Sequence, residues 1–300
     1  MMNFNEYQNP TYAIDFLSEH LINGSLVLFL GAGTSKGFGL PDWSELTNSF
    51  RSAVGLGKLV DAKSPENIQN AIDEALDKIN NEENRKIELI KKILYPDENK
   101  LDITMAYSNH LLISIASLLM GSKRGHVKRV VTLNYDSMLE WFLTLFGFHV
   151  NSISVLPALE GSEDVRIFHP HGFVPHPALK MQGSNFLILG LKDANNRIGK
   201  RNDLWIEKER AFLESGVCLF IGLSGNTLSD RAIAPLLSST GDSLKNQRPL
   251  GIWINRSKLT KTKQDEYFRN NIVPIEINND IEISKFILRI SQRALEKQKK

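Results

Sequence analysis

The chain has a single cysteine, Cys218, among 300 residues. One cysteine excludes an internal disulfide framework and any zinc site assembled from several thiolates. Without disulfides to protect, a reducing cytosol is the expected compartment. Long apolar runs are also missing. The longest, Leu111 to Met120, is broken by two serines and falls far short of the roughly 20 residues that a membrane helix needs. The first residues, Met1 to Glu6, show neither a basic region nor an apolar one, so no targeting segment is expected. Charge of one sign is lacking as well. The net charge of +2 is too small for a bulk polyanion binder, so direct nucleic-acid binding and membrane association are not expected.

What is present is an ordinary globular composition, 42% hydrophobic and 23% charged. Apolar spacing predicts helices over 10–23, 43–54, 66–80, 82–94, 102–120, 137–146, 202–215, 229–238, 260–270 and 280–297. Continuous apolar runs at Leu26–Leu30, Val127–Leu133, Val217–Gly222 and Leu250–Asn255 read as strands buried on both faces. Shorter strands are expected at 166–169 and 273–277, and a loop over 173–200. Strands and helices alternate, which predicts an α/β fold with a mostly parallel sheet and helices on both faces. Residues 56–125 carry helical periodicity without a strand and read as a helical insertion within one domain spanning 1–300.

The apolar strands end in small or polar residues, where open α/β sheets place their ligands. Gly31–Thr34, Asn134–Asp136, His171-Gly172, Gly222–Ser224 and Asn255 are therefore expected to converge on one cleft. Gly31-Ala32-Gly33-Thr34-Ser35 follows a strand, and such a turn lets backbone and amide donors approach a pyrophosphate. It also reads as a tight turn with no ligand. The full GxGxxG pattern fails, since residue 36 is lysine, and no GxxxxGK[ST] loop occurs. Asn134 and Asp136 can hold sugar hydroxyls and a water molecule, or form an Asx turn capping the next helix. His171, ahead of a glycine, can serve as a general base, or bond to backbone in a turn. His169, His171 and His176 read poorly as metal ligands, because Pro170 splays the first two and no acid or thiol cluster joins them.

Taken in order, these blocks resemble the sirtuin family, in its zinc-less sirtuin-like branch. Gly31–Ser35 with Gly39-Leu40-Pro41-Asp42-Trp43 is similar to the family's nucleotide loop, and Thr132–Asp136 to its TxNxD block. His171-Gly172 is similar to the catalytic HG, and Gly222-Leu223-Ser224 with Ile254-Asn255 to the blocks that bind the rest of NAD. The resemblance implies a Rossmann-like fold that takes NAD+ as substrate, with no other cofactor and no zinc. It gives Gly31, Ala32, Gly33, Thr34 and Ser35 to the pyrophosphate loop. Asn134 would hold the nicotinamide ribose and order water, Asp136 would face the nicotinamide, and His171 would take a proton. Ser224 and Gly222 would meet the adenosine side, Asn255 its ribose, and Asp230 would close the same wall. Trp43 either touches ligand or only packs.

The four-cysteine zinc module that sirtuin deacylases carry after the HG block has no counterpart here, and the helical insertion is its expected substitute. The resemblance then implies an NAD+ glycohydrolase that releases nicotinamide and ADP-ribose, of the kind that depletes NAD in bacterial defence against phage. A separate regulatory or sensor protein, or homo-oligomerisation, is expected to gate it. The alternatives are an NAD-dependent deacylase or ADP-ribosyltransferase, and a non-catalytic NAD or ADP-ribose binding module.

Overall fold

A computed structural model of the protein describes residues 4–59, 65–98, 100–121, 124–159, 161–198, 203–228, 233–245 and 247–299. Its centre is a seven-stranded sheet in which every pairing is parallel. In chain order the strands are β1 (Leu26–Leu30), β2 (Arg129–Thr132), β3 (Val150–Ile153), β4 (Val165–Phe168), β5 (Val217–Ile221), β6 (Gly251–Asn255) and β7 (Ile272–Glu276). Their spatial order is β3-β4-β2-β1-β5-β6-β7. The connections run outward in opposite directions from β1 and β5, so a crevice lies between the carboxyl ends of those two strands.

The all-apolar strands follow from two-sided burial. Along β1, Leu26, Leu28 and Leu30 face one core while Val27 and Phe29 face the other. The first face is covered by helices Pro10–Ile22, His110–Leu119 and Asp280–Gln298, through residues such as Leu17, Ile115 and Ile287. The second is covered by Leu204–Ser215, Ala234–Ser243 and Lys261–Arg269, through Phe212, Leu237 and Tyr267. Cys218 sits inside β5, and burial pushes its thiol up to about 12, so it behaves as a small core hydrophobe. No helix among the described residues is long and apolar enough to cross a membrane.

Several elements differ from the sequence expectation, each for a physical reason. The helix expected over 102–120 is two, Ile103–Ser108 and His110–Leu119, because the Asn109 side chain accepts the Leu112 amide and caps the second. β3 was not expected: it is a partly exposed edge strand without a continuous apolar run. Helix Leu191–Ile198 lies where a loop was expected, and polar residues dominate it. The helix expected over 229–238 is Ala234–Ser243, and residues 229–232 lie outside the described set.

Residues 56–125 do not act as one insertion. Helix His110–Leu119 belongs to the layer on the sheet, with Ser117 Oγ 3.0 Å from Ser291 Oγ of the last helix. Helices Pro65–Asp77 and Glu83–Leu94 instead meet the segment 187–198. Lys86 makes that join. It is 0% exposed, and its Nζ donates to the Leu187 carbonyl (3.0 Å) and Asp193 Oδ2 (3.1 Å), with Glu83 Oε1 at 2.6 Å. Asp73 accepts the Lys192 amide from the same segment, at 3.3 Å through Oδ2. Two stretches about a hundred residues apart thus form one cap beside the crevice.

Removing one member of a buried ion pair strands the other. Lys86→Ala is expected to lower stability by about 3–5 kcal/mol in urea unfolding. The double variant Lys86→Met/Asp193→Asn is expected to recover much of that loss. A single variant as stable as the wild type would remove this pair from the forces holding the cap.

Candidate active site

Two adjoining cavities lie at the carboxyl ends of the strands. A narrow one of about 80 Å³ is lined by Gly31, Ala32, Trp43, Gln69, Asn134, Asp136 and His171, with Leu94, Ile188 and Leu189 from the cap. A larger one of about 410 Å³ is lined by Ala32, Gly33, Trp43, Gly222, Ser224 and Asn255. They share Ala32, Asp42, Trp43 and Leu223. The expected convergence is thus met by two connected chambers. Asp230 falls at 229–232 and lies outside the described residues.

The glycine loop has a structural reason of its own. A Cβ on Gly31 would sit 2.7 Å from the Gly222 carbonyl oxygen, one on Gly33 2.8 Å from Gly222 Cα, and one on Gly222 2.7 Å from the Thr34 nitrogen. Gly222 also has φ +70°, a conformation that favours glycine. The turns after β1 and β5 therefore interlock backbone to backbone. Their amides are largely taken. Gly31 N donates to Ile221 O, Gly33 N to Gly222 O, Thr34 N to Gly31 O and Ser35 N to Ala32 O. Ala32 opens the 3₁₀ turn Ala32–Thr34, where amides have no acceptor within the turn, and it lines both chambers.

Thr34 and Ser35 line neither chamber; they hold the polar pair that follows β2. Asn134 Nδ2 donates to Gly31 O (3.1 Å), Thr34 Oγ1 (3.2 Å) and Ser35 Oγ (3.1 Å). A carbonyl can only accept, so Gly31 fixes which end of the amide is nitrogen and leaves the oxygen end for a ligand. Ser35 Oγ in turn donates to Asp136 Oδ1 (3.0 Å), which also accepts the Met138 amide and so caps helix Met138–Leu145. Burial pushes the Asp136 carboxyl up to about 6, against the pull of those two donors. Asp136 thus makes the expected Asx turn and also lines the narrow chamber.

His171 is held on a turn fixed from below. His169 Nδ1 lies 3.3 Å from the Asn134 carbonyl oxygen, and its Nε2 lies 2.6 Å from Glu140 Oε1. Arg197 donates from Nη1 to the Pro170 carbonyl (3.1 Å) and from Nη2 to Glu209 (2.6 Å). Burial first, and the Arg197 charge second, push the His171 ring down to about 3, so it is neutral at physiological pH. Its Nε2 is buried with no hydrogen-bond partner among the described residues. His176 meets Tyr95 edge to face and accepts the Ala178 amide. His169 and His176 are thus engaged separately while His171 Nε2 is left unpartnered, and among the described residues no cluster of His, Cys, Asp or Glu could hold a metal ion.

Asn255 ends β6, and its Nδ2 donates to the Ser257 carbonyl at the edge of the larger chamber. Trp43 is the first residue of helix Trp43–Ala53, entered through a capping box of Asp42 and Glu45. It borders both chambers, with its ring 6.4 Å from that of Tyr135. Gln69, Leu94, Ile188 and Leu189 were not anticipated. A signal existed for Gln69: it and Asp73 are polar residues four apart on the same buried side as Ile68, Ile72 and Leu76.

Residues 128–275 match the family model of the SIR2-like domain. The match covers just under half of the chain and takes in Asn134, Asp136, His171, Gly222, Ser224 and Asn255. The Gly31–Ser35 loop lies outside it and is joined to it by the Asn134 bonds. No curated protein matches the chain. SIR2-like domains are typically NAD-dependent enzymes, so the match supports a sirtuin-like family and an NAD-related activity in general.

The His171 shift has a testable sign. The ring takes up a proton near 6.5 when unfolded and only near 3 when folded. Its contribution to stability is full above about 6.5 and is lost as pH falls toward 3. NMR of the imidazole nitrogens is expected to show a neutral ring at pH 5. His171→Gln is expected to flatten the fall in melting temperature across that window. A ring already charged at pH 5 would refute the buried, neutral assignment.

Proposed function

We propose that this protein is an NAD+ glycohydrolase. The observation that carries the reading is the gathering of Asn134, Asp136 and the unpartnered His171 Nε2 in one narrow chamber beside the Gly31–Ser35 turn. The neighbouring SIR2-like match supports NAD as the ligand. The larger chamber, with Gly222, Ser224 and Asn255, takes the adenosine side, and Ala32 at the junction meets the pyrophosphate.

The chemistry suits these groups. The bond between ribose C1′ and the nicotinamide nitrogen breaks, and its electron pair leaves with the nicotinamide, which becomes neutral. Positive charge develops on the ribose. Asp136, ionised above about pH 6, places a negative charge beside it in a water-poor site. The Asn134 oxygen end orients the ribose and the attacking water. Water adds to C1′, its proton passes to solvent, and ADP-ribose is released. The neutral His171 ring accepts a hydrogen bond from a ribose hydroxyl through its free nitrogen. Cap residues Leu94, Ile188 and Leu189 give the narrow chamber an apolar wall. A role in bacterial defence, with a partner protein or self-association as the gate, extends the same reading.

Purified protein, alone and with candidate activators, is expected to release nicotinamide and ADP-ribose from NAD+ without any peptide. Asn134→Ala is expected to lose on the order of 10²-fold in kcat. The rate is expected to fall below about pH 6 as Asp136 takes up a proton, with no further break from His171 down to about 3. Nicotinamide release that requires an acylated peptide would favour the deacylase instead. Binding of NAD+ with no release under any condition would favour a binding module. Equal turnover in Asn134→Ala and wild type would sink the site.

A further inference from the structure

Gln69 projects from helix Pro65–Asp77 into the narrow chamber. It is 3% exposed, yet among the described residues its carboxamide makes no hydrogen bond. The little of Gln69 that is exposed opens on the chamber it lines, where a carboxamide offers a donor and an acceptor. The helix does not need Gln69 for its own attachment. Arg51 donates to the Ala71 carbonyl and to Glu74 on one side, and Asp73 and Asp77 bond Lys192 on the other. Ile68, Ile72 and Leu76 supply the packing. The helix is thus anchored by other residues, and the Gln69 carboxamide is left facing the chamber.

We propose that Gln69 is a ligand-binding residue of this chamber, whose carboxamide takes a neutral group offering both a donor and an acceptor. The inference rests on the NAD reading above and places that group at the nicotinamide-riboside end. Gln69 shares its chamber with Asn134, Asp136 and His171, whereas Gly222, Ser224 and Asn255 line the other. The Asp136 carboxyl, which lines this chamber and not the other, disfavours a phosphate there. In the dinucleotide two groups have the required chemistry: the nicotinamide carboxamide and the hydroxyls of its ribose.

The test compares wild type with Gln69→Leu. Without ligand, the variant is expected to melt at a higher temperature, because an unpaired amide gives way to an apolar side chain; a lower melting temperature would mean that the amide already serves the protein, and would overturn the proposal. Calorimetry with carba-NAD+, in which a ring carbon replaces the ribose oxygen and resists cleavage, is expected to show binding weakened about tenfold or more in the variant. ADP-ribose and nicotinamide are titrated as separate arms. Loss confined to nicotinamide assigns the carboxamide, and loss shared by ADP-ribose assigns the ribose hydroxyls. Equal binding of all three probes by wild type and variant overturns the role of Gln69 while leaving the NAD reading intact. A wild type that binds none of them overturns both.

Discussion

The amide of Asn134 is the interaction on which the site depends. It joins the end of β2 to the turn after β1, and through Ser35 it reaches Asp136. That turn is in turn locked to Gly222 at the end of β5. Three adjacent strands are thus tied at their carboxyl ends by a few neutral hydrogen bonds. Each is modest alone, but all are buried, where leaving one unmade is expensive. The ligand-facing groups inherit their positions from this knot.

Beneath it lie two buried side-chain pairs. Glu140 meets His169, and Glu209 meets Arg197, both out of water. Burial pushes the Glu209 carboxyl up to about 7, against the opposing pull of Arg197. Such pairs add little net stability, since desolvation offsets their attraction. Their effect here is positional: His169 meets the Asn134 carbonyl, and Arg197 bonds the carbonyl of Pro170, the residue before His171. The same Arg197 charge helps keep the His171 ring neutral.

The sheet was legible because two-sided burial leaves unbroken apolar runs, as in Leu26–Leu30 and Val217–Ile221. Gly31, Asn134, Gly222 and Asn255, which line the chambers, were legible because they lie at the ends of such runs. β3 escaped because an edge strand needs only one buried side, and helix Leu191–Ile198 because it owes its place to buried Asp193 and Arg197. The division of labour within the Gly31–Ser35 turn was likewise hidden. The family resemblance assigns Thr34 and Ser35 to a ligand, but only distances show their hydroxyls facing Asn134 and Asp136. Gln69 was hidden for a related reason, since one polar residue on an apolar helix face acquires meaning only once its surroundings are known.

The lock between Gly33 and Gly222 has a consequence for synthesis. The turn that follows the chain's first strand is completed by a residue nearly two hundred positions later, and the cap is completed by Lys86 meeting Asp193. A chain emerging from the ribosome carries Asn134 and His171 long before the turn that holds them can close. Whatever the chambers do, they can do only after the last third of the polypeptide has begun to emerge, so a half-made molecule is inert.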